Sequence, residues 1–178
     1  MSRPTNLAIL GSTGSVGSQS LEVLRHNPGM FKVEVLAAGR NIEVLAAQVE
    51  ELKPRTVVVS DEDSRQKFAA TPAGRSFLQC GRVLTGPAGL SEAVTLPEVD
   101  AVVVAITGFA AFQPLIDALR AGKHLAVANK ECFVAGGRIL QAAMAASDSL
   151  VVPVDSEHSS VYQCLSRRGS PEAVRRVI

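Results

Sequence analysis

Asn6-Leu7-Ala8-Ile9-Leu10-Gly11-Ser12-Thr13-Gly14-Ser15-Val16-Gly17 is the stretch that decides the fold of this chain. A short apolar run enters a loop of three glycines, and a helical period follows from Ser18 to His26, where Asn27-Pro28-Gly29 stops it. A strand that turns through such a loop into a helix lets the backbone approach a pyrophosphate, because the N–H groups and dipole of the helix start favour negative charge. Gly11 permits the tight turn, Gly14 keeps a side chain out of the phosphate path, and Gly17 lets helix pack against strand. The spacing is G-x-x-G-x-x-G, not the commoner G-x-G-x-x-G, and alone it is a weak signal. Its context strengthens it: a strand before, a helix after, and a second strand at Lys32 to Ala38.

The alternation continues outward. Asn41 caps a helix through Leu52, Pro54 breaks it, and the β-branched run Thr56 to Val59 is a third strand, followed by the cap Ser60-Asp61. Thr71 to Leu90 is less regular, with Pro72, Gly74, Gly81, Gly86, Pro87 and Gly89, and reads as short helices around a small strand at Arg82 to Leu84. Ala101 to Ile106 is almost wholly apolar, as in a strand buried on both faces, and a helix to about Ala121 follows Thr107-Gly108. Strands at His124 to Ala128 and Leu150 to Val154 flank an Ala-rich helix from Glu131 to Ser147. The fold class is therefore α/β, a Rossmann-like open, mostly parallel sheet with helices on both faces.

Composition agrees and excludes other classes. The chain of 178 residues is 47% apolar but only 4% aromatic, which favours closely packed helices and parallel strands over a β-sandwich. A net charge of +1 provides no field for a nucleic-acid backbone or an anionic membrane surface. No apolar run approaches the roughly 20 residues needed to span a bilayer, and the N-terminus has no secretory or transit pattern, so a cytoplasmic protein is expected. Cys80, Cys132 and Cys164 are widely spaced without a C-x-x-C, arguing against a disulfide framework or a zinc site.

Three further motifs carry chemistry. The second strand ends in Ala38-Gly39-Arg40-Asn41, where an NAD-specific domain offers an acidic residue to the ribose 2'-hydroxyl. A guanidinium and an amide instead suit a 2'-phosphate, hence NADP; the alternative is an exposed Arg beside a plain helix cap. Ala128-Asn129-Lys130-Glu131 follows the fifth strand at the edge where ligands of open α/β sheets bind. Lys130 there can meet a substrate anion or a developing oxyanion, and Asn129 and Glu131 can orient a cofactor, although a solvated turn with a helix cap also fits. Finally, Asp155 and Glu157 end the run Leu150-Val151-Val152-Pro153-Val154 and are followed by His158-Ser159-Ser160. In an extended backbone residues i and i+2 face the same side, so both carboxylates can meet one divalent cation. His158 suits a local hydrogen bond better than an all-oxygen metal site. His26 and His124 read as structural.

With Gly-Ser-Thr-Gly-Ser-Val-Gly, Ala-Gly-Arg-Asn, Ala-Asn-Lys-Glu and Pro-Val-Asp-Ser-Glu-His in order, the chain resembles the N-terminal part of the 1-deoxy-D-xylulose 5-phosphate reductoisomerase family over essentially its whole length. The resemblance implies an NADPH-dependent enzyme that uses Mg²⁺ or Mn²⁺ to convert 1-deoxyxylulose 5-phosphate into 2-C-methylerythritol 4-phosphate for isoprenoid synthesis, by skeletal rearrangement and then hydride transfer, usually as a homodimer. It further implies that Thr13, Gly14, Ser15 and Val16 hold the cofactor phosphates, Gly39, Arg40 and Asn41 the 2'-phosphate end, and Asn129 and Glu131 the rest of NADPH. Lys130, Ser156 and Glu157 would touch substrate, Asp155 and Glu157 would hold the metal, and Lys130 and Glu157 would be catalytic. Residues 1–150 would be the NADPH-binding domain and 151–178 the start of the metal- and substrate-binding domain, with a further strand beginning at Arg175-Arg176-Val177-Ile178. Gly108-Phe109-Ala110-Ala111-Phe112 departs from the smaller residues usual in the family, which leaves the cofactor contacts there open. Family members are more than twice as long, so NADPH binding without turnover is expected of these residues alone. The rival readings are a non-catalytic NADP-binding module and another two-domain NADP reductase, such as a semialdehyde or homoserine dehydrogenase.

Overall fold

A computed structural model describes residues 3–166; the strand expected at Arg175 to Ile178 lies outside them. The elements run β1 (Thr5–Leu10), α1 (Ser15–His26), β2 (Phe31–Ala38), α2 (Ile42–Leu52), β3 (Thr56–Val59), α3 (Glu62–Ala70), α4 (Pro72–Phe77), β4 (Arg82–Thr85) and α5 (Gly86–Thr95). They continue with β5 (Ala101–Val104), a 3-10 turn (Phe109–Ala111), α6 (Phe112–Arg120), β6 (His124–Val127), α7 (Glu131–Ala145), β7 (Val151–Pro153) and α8 (Ser156–Ser166). The described strands form one sheet in the order β4-β3-β2-β1-β5-β6-β7, every neighbouring pair parallel. The chain steps from β1 out to β4, then returns to the other side of β1 for β5. That reversal opens a crevice at the C-terminal ends of β1 and β5, where open α/β sheets bind ligands.

Apolar strand sequences conceal an alternation that packing reveals. In β1, Leu7 and Ile9 join a core with Leu21 of α1, Leu45 and Val49 of α2, and Phe68 of α3. Ala8 and Leu10 join the opposite core, with Val94 of α5, Leu115 of α6 and Leu140 of α7. Ile9, Leu10 and Leu36 are fully buried, and each such side chain contributes about 1.5–3 kcal/mol relative to exposure. Helices α1 to α4 cover one face only over the β4 to β1 half, so Val103 and Ala126 stay half-buried, lining a trough with Val23, Leu24 and Phe31.

Several elements differ from the sequence-based expectation for identifiable reasons. Helix α1 begins at Ser15, three positions before its apolar period starts, because its first turn faces the glycine loop instead of the core. β5 leaves the ladder after Val104, since Ala105 and Ile106 wrap the glycine loop: a Cβ on Gly11, whose φ is +87°, would stand 2.6 Å from the Ala105 carbonyl oxygen. Helix α5 is longer than the broken pattern suggested, because Pro87 sits in the first turn, where its missing N–H costs nothing. Helix α7 is kinked at Gly136, against which the Phe112 ring packs too closely to admit a Cβ. Helix α8 replaces the extended backbone read through Asp155 and Glu157. β7, which a division at residue 150 would assign to the following segment, pairs with β6 as part of the same sheet.

Candidate functional site

The glycine loop is clamped from four directions. Gly11 and Ser12 N–H both donate to the Ala37 carbonyl of β2, at 2.8 and 2.9 Å, and Gly14 N–H donates back to the Gly11 oxygen at 3.0 Å. Gly17 lies so close that a Cβ there would fall 2.2 Å from the Gly11 oxygen and 2.7 Å from Ser12 Cα. Ala105 closes the third side. On the fourth, Ser12, which is wholly buried, donates its hydroxyl to Gln48 Oε1 at 2.7 Å, and Gln48 Nε2 donates to the Ser12 carbonyl at 3.0 Å. The α1 N-terminus is left open: Gly14 is extended (φ −82°, ψ 174°) and offers no side-chain cap. The first-turn N–H groups of Ser15, Val16 and Gly17 have no carbonyl within the helix to bond. An anion is what such a terminus lacks, so this cradle fits a pyrophosphate.

Beside it, at the ends of β1, β2, β3 and β5, lies an apolar cleft of about 220 Å³ whose walls include Ala38, Val59, Pro87, Leu90 and Ile106. Gly39 and Ser60 stand at its rim, and the Ser60 hydroxyl donates to the Gly39 carbonyl at 3.3 Å. Arg40 and Asn41 are exposed next to that rim. Asn41 accepts a long hydrogen bond from Val44 N–H at 3.4 Å, so it caps α2 while its amide N–H groups stay free. No acidic side chain interrupts Ala38-Gly39-Arg40-Asn41. The flat apolar slot suits a base, and the rim suits a ribose carrying a 2'-phosphate. Sequence reasoning took Ser60 only as a cap and missed Pro87 and Leu90 altogether, which reach the cleft through the β4 to α5 turn.

Asn129 behaves differently from its neighbours. It is only 2% exposed; its amide donates to the carbonyls of Ile106 (2.7 Å) and Gly108 (2.8 Å), and its oxygen accepts from Cys132 N–H (2.9 Å). Its side chain thus staples the loop after β5 to the start of α7. Cys132 is buried beneath it, and burial pushes its thiol up, away from the reactive thiolate. Glu131 is exposed in the first turn of α7, where its charge complements the helix dipole. Phe109 is exposed and stacks on Phe112, ring centroids 4.5 Å apart, which fills the departure noted at Gly108 to Phe112 with a surface aromatic pair.

Lys130 reaches across the ends of β6 and β7 to Asp155, Nζ to Oδ2 at 3.4 Å. His158, on the first turn of α8, stands with Nδ1 3.7 Å from Asp155 Oδ1, beyond hydrogen-bond reach. His26 bonds within its own helix to the Glu22 carbonyl, and His124 accepts from the Leu150 N–H 26 positions on, tying β6 to the start of β7. Glu157 converges on Asp155 through the helix start, and the Ser156 hydroxyl donates to Glu157 Oε2 at 2.9 Å. Asp155 is held below the usual carboxylate range, first by the Glu157 carboxyl group beside it and then by the Lys130 charge. Its Oδ1 is buried without a hydrogen-bond partner, an orphaned oxygen of the kind a hard cation satisfies. Among the described residues no group of three or more His, Cys, Asp or Glu is arranged to hold a metal. The oxygen donors gathered there are the Asp155 and Glu157 carboxylates, the ligand type that a hard cation takes. The adjoining pocket, about 290 Å³, runs from Asp155 and His158 to Phe133 and Met144.

Comparison with known proteins is consistent across sequence and structure. The family model described as 1-deoxy-D-xylulose 5-phosphate reductoisomerase matches residues 7–137. The enzyme of that name from Heliobacterium modesticaldum is 42% identical over 172 residues, covering 97% of this chain and 43% of that protein. The chloroplastic one from Mentha piperita is 38% identical, covering 98% of this chain and 37% of its own length. The Zymomonas mobilis reductoisomerase solved with NADPH superposes with a TM-score of 0.82 at 30% identity, over 92% of this chain and 42% of that one. A reductoisomerase crystallised with NADPH, fosmidomycin and magnesium gives 0.82 at 31% identity, over 90% and 38%. A homoserine dehydrogenase from Thiobacillus denitrificans shares the fold alone, with a TM-score of 0.54 at 24% identity. The chain spans about two fifths of the length of the curated relatives it matches. Among its described residues no helix is long and apolar enough to cross a membrane.

Proposed function

The chain belongs to the 1-deoxy-D-xylulose 5-phosphate reductoisomerase family, and from that premise we propose that it is the NADPH-holding part of an enzyme converting 1-deoxyxylulose 5-phosphate into 2-C-methylerythritol 4-phosphate. The observation that carries this reading is the shared edge of the sheet. The ends of β1 and β2 form the cofactor cradle, and the ends of β6 and β7 bring Lys130 within 3.4 Å of Asp155.

In this reading Thr13, Gly14, Ser15 and Val16 bind the pyrophosphate through backbone N–H groups, and Gly39, Arg40 and Asn41 the 2'-phosphate. The Asn129 to Glu131 turn borders the rest of the cofactor, with Asn129 acting through the loop it staples. Asp155 and Glu157 hold Mg²⁺ or Mn²⁺. Lys130 and Ser156 orient the substrate, Lys130 keeping a positive charge where substrate oxygen becomes negative. When bound, NADPH supplies the hydride, and the divalent cation offsets charge on the substrate oxygens while the carbon skeleton rearranges. The cofactor part, residues 1–150 with β7 completing its sheet, passes into the metal and substrate part from α8 onward. A homodimeric full-length enzyme belongs to the same proposal, supported by the family resemblance, as does a cytoplasmic location, which rests on the sequence pattern.

Two protein carboxylates leave a hard cation, which takes six or more oxygens, largely hydrated. The proposal is therefore NADPH binding by these residues without turnover. NADPH fluorescence titration of the chain is expected to show saturable binding, and adding 1-deoxyxylulose 5-phosphate with Mg²⁺ to leave the NADPH absorbance unchanged. A folded chain that binds no NADPH overturns the cofactor assignment, and substrate-dependent oxidation overturns the dormancy. Joined to the remaining segment of a relative, the chain is expected to turn over and to lose that activity with Asp155→Asn.

A further inference from the structure

We propose that Gln48 is a positioning residue for the cofactor, holding the glycine loop in the shape that presents the α1 N–H groups to the pyrophosphate. The inference rests on the NADPH reading above and extends it to a residue outside every motif of the site.

Gln48 lies in the middle of α2, on the face that buries Leu45 and Val49, and is itself only 6% exposed. A glutamine on an apolar helix face is costly to bury unless both ends of its amide are paired, and a leucine would fill the same space without that demand. Both ends are paired, and to a single residue: Oε1 accepts the Ser12 hydroxyl at 2.7 Å while Nε2 donates to the Ser12 carbonyl at 3.0 Å. The chemistry fixes the amide orientation, because a carbonyl cannot donate and so must face the NH₂. Ser12 in turn is 0% exposed and sits one residue past the φ +87° turn at Gly11. Its backbone N–H is already spent on Ala37. With Gln48 in place the main-chain N–H, the carbonyl and the hydroxyl of Ser12 are all bonded, so this residue of the loop has no freedom to rotate. Only the unbonded N–H groups further on face outward.

The link also joins two anion subsites. Arg40 and Asn41 stand at the N-terminal end of α2, seven helical positions or about 10 Å from Gln48. One rigid helix thereby carries the 2'-phosphate end and grips the pyrophosphate loop, so the spacing between the two phosphate sites is set before the cofactor arrives.

Removing Gln48 leaves the Ser12 hydroxyl and carbonyl unpaired in the interior. The expected consequence is a misplaced loop, and NADPH affinity falling about tenfold or more in Gln48→Leu. Adenosine 2'-phosphate, which carries no pyrophosphate, is expected to bind within about twofold of the unsubstituted chain, because Arg40 and the α2 N-terminus are untouched. Gln48→Glu keeps an acceptor for the hydroxyl but no donor for the carbonyl, so it too weakens NADPH selectively, and it serves where the leucine variant fails to fold. The measurements are fluorescence titration of the 178-residue chain with NADPH, competition by adenosine 2'-phosphate, and thermal melting of each variant. Unchanged NADPH affinity in a folded variant overturns the inference. So does an equal loss for both ligands in step with a lowered melting temperature, which is what a merely structural glutamine produces. If the unsubstituted chain binds no NADPH while binding adenosine 2'-phosphate, the pyrophosphate reading of the loop falls, and this inference with it.

Discussion

Two alanine substitutions in the glycine loop are expected to fail in different ways. In Gly17→Ala the new Cβ would lie 2.2 Å from the Gly11 oxygen and 2.7 Å from Ser12 Cα, all on backbone that cannot rotate aside. Carbon and carbonyl oxygen rest no closer than about 3.3 Å, so α1 must withdraw from the loop by about 1.1 Å. Overpacking of this kind costs about 1–3 kcal/mol. Alanine's better helix propensity offsets about 0.8–1 kcal/mol of it. A net loss of about 0–2 kcal/mol lowers the melting temperature of a domain this size by up to about 8 °C. The same displacement moves the donors of the first turn off the phosphate, and losing one charge-assisted hydrogen bond, about 1.5–3 kcal/mol, weakens NADPH about tenfold or more. Gly14→Ala places its Cβ 3.3 Å from the Gly11 oxygen, in a backbone conformation any residue adopts, so the ligand-free chain is expected to melt within a degree or two of the original, a shift of about 0.5 kcal/mol or less. Its methyl group nevertheless stands in the phosphate path, and NADPH is expected to weaken about tenfold as well. Melting curves and NADPH titrations on both variants test the argument. It is refuted by a Gly17→Ala chain that melts and binds normally, or by a Gly14→Ala chain that binds NADPH at full affinity.

Arg40→Ala is expected to weaken NADPH about tenfold while leaving NADH nearly unaffected, since the guanidinium serves only the 2'-phosphate; equal losses by titration would remove Arg40 from that role. Asn129→Ala strands the carbonyls of Ile106 and Gly108 and the N–H of Cys132, for an expected loss of about 2–3 kcal/mol in urea denaturation. A loss below about 0.5 kcal/mol would show that those groups find other partners. Asp100 is held below its ordinary value first by the Arg3 guanidinium and further by the Asn6 N–H. A carboxylate whose folded pKa is depressed stabilises the fold fully above its unfolded value of about 3.9, and loses that contribution as pH falls through the folded value. Asp100→Asn should therefore be less stable than the original chain at neutral pH, with the gap closing in acid; a gap independent of pH would refute the linkage.

Local signals were enough to read the first strand and its glycine loop, the caps at Asn41 and Asp61, and the all-apolar run of β5. Each depends on residues adjacent in the chain. Helix α8 escaped that reading because Ser156 to Ser166 buries no side chain among the described elements, so no apolar stripe announces it. The start of α1 escaped it for the same reason. The carboxylate pair was found for its chemistry and placed on the wrong local backbone: a helix start brings Asp155 and Glu157 together where an extended segment was read.

What the chain's own order of residues determined is every strand of the described sheet and most of its helices, the parallel α/β class, and the chemical types gathered at the motif loops, since periodicity, glycines and caps act over a few positions. Tertiary structure decided which of those groups meet. Lys130 reaches Asp155 only because β6 and β7 are neighbours, Asn129 turns inward only because the loop after β5 presents two carbonyls to it, and Gln48 finds Ser12 across 36 positions only because α2 packs on β2, beside the loop that leaves β1. The physical reason is that a side chain's role follows from what fills the space around it, and across a crossover connection that neighbour is set by strand order and by which face each helix covers.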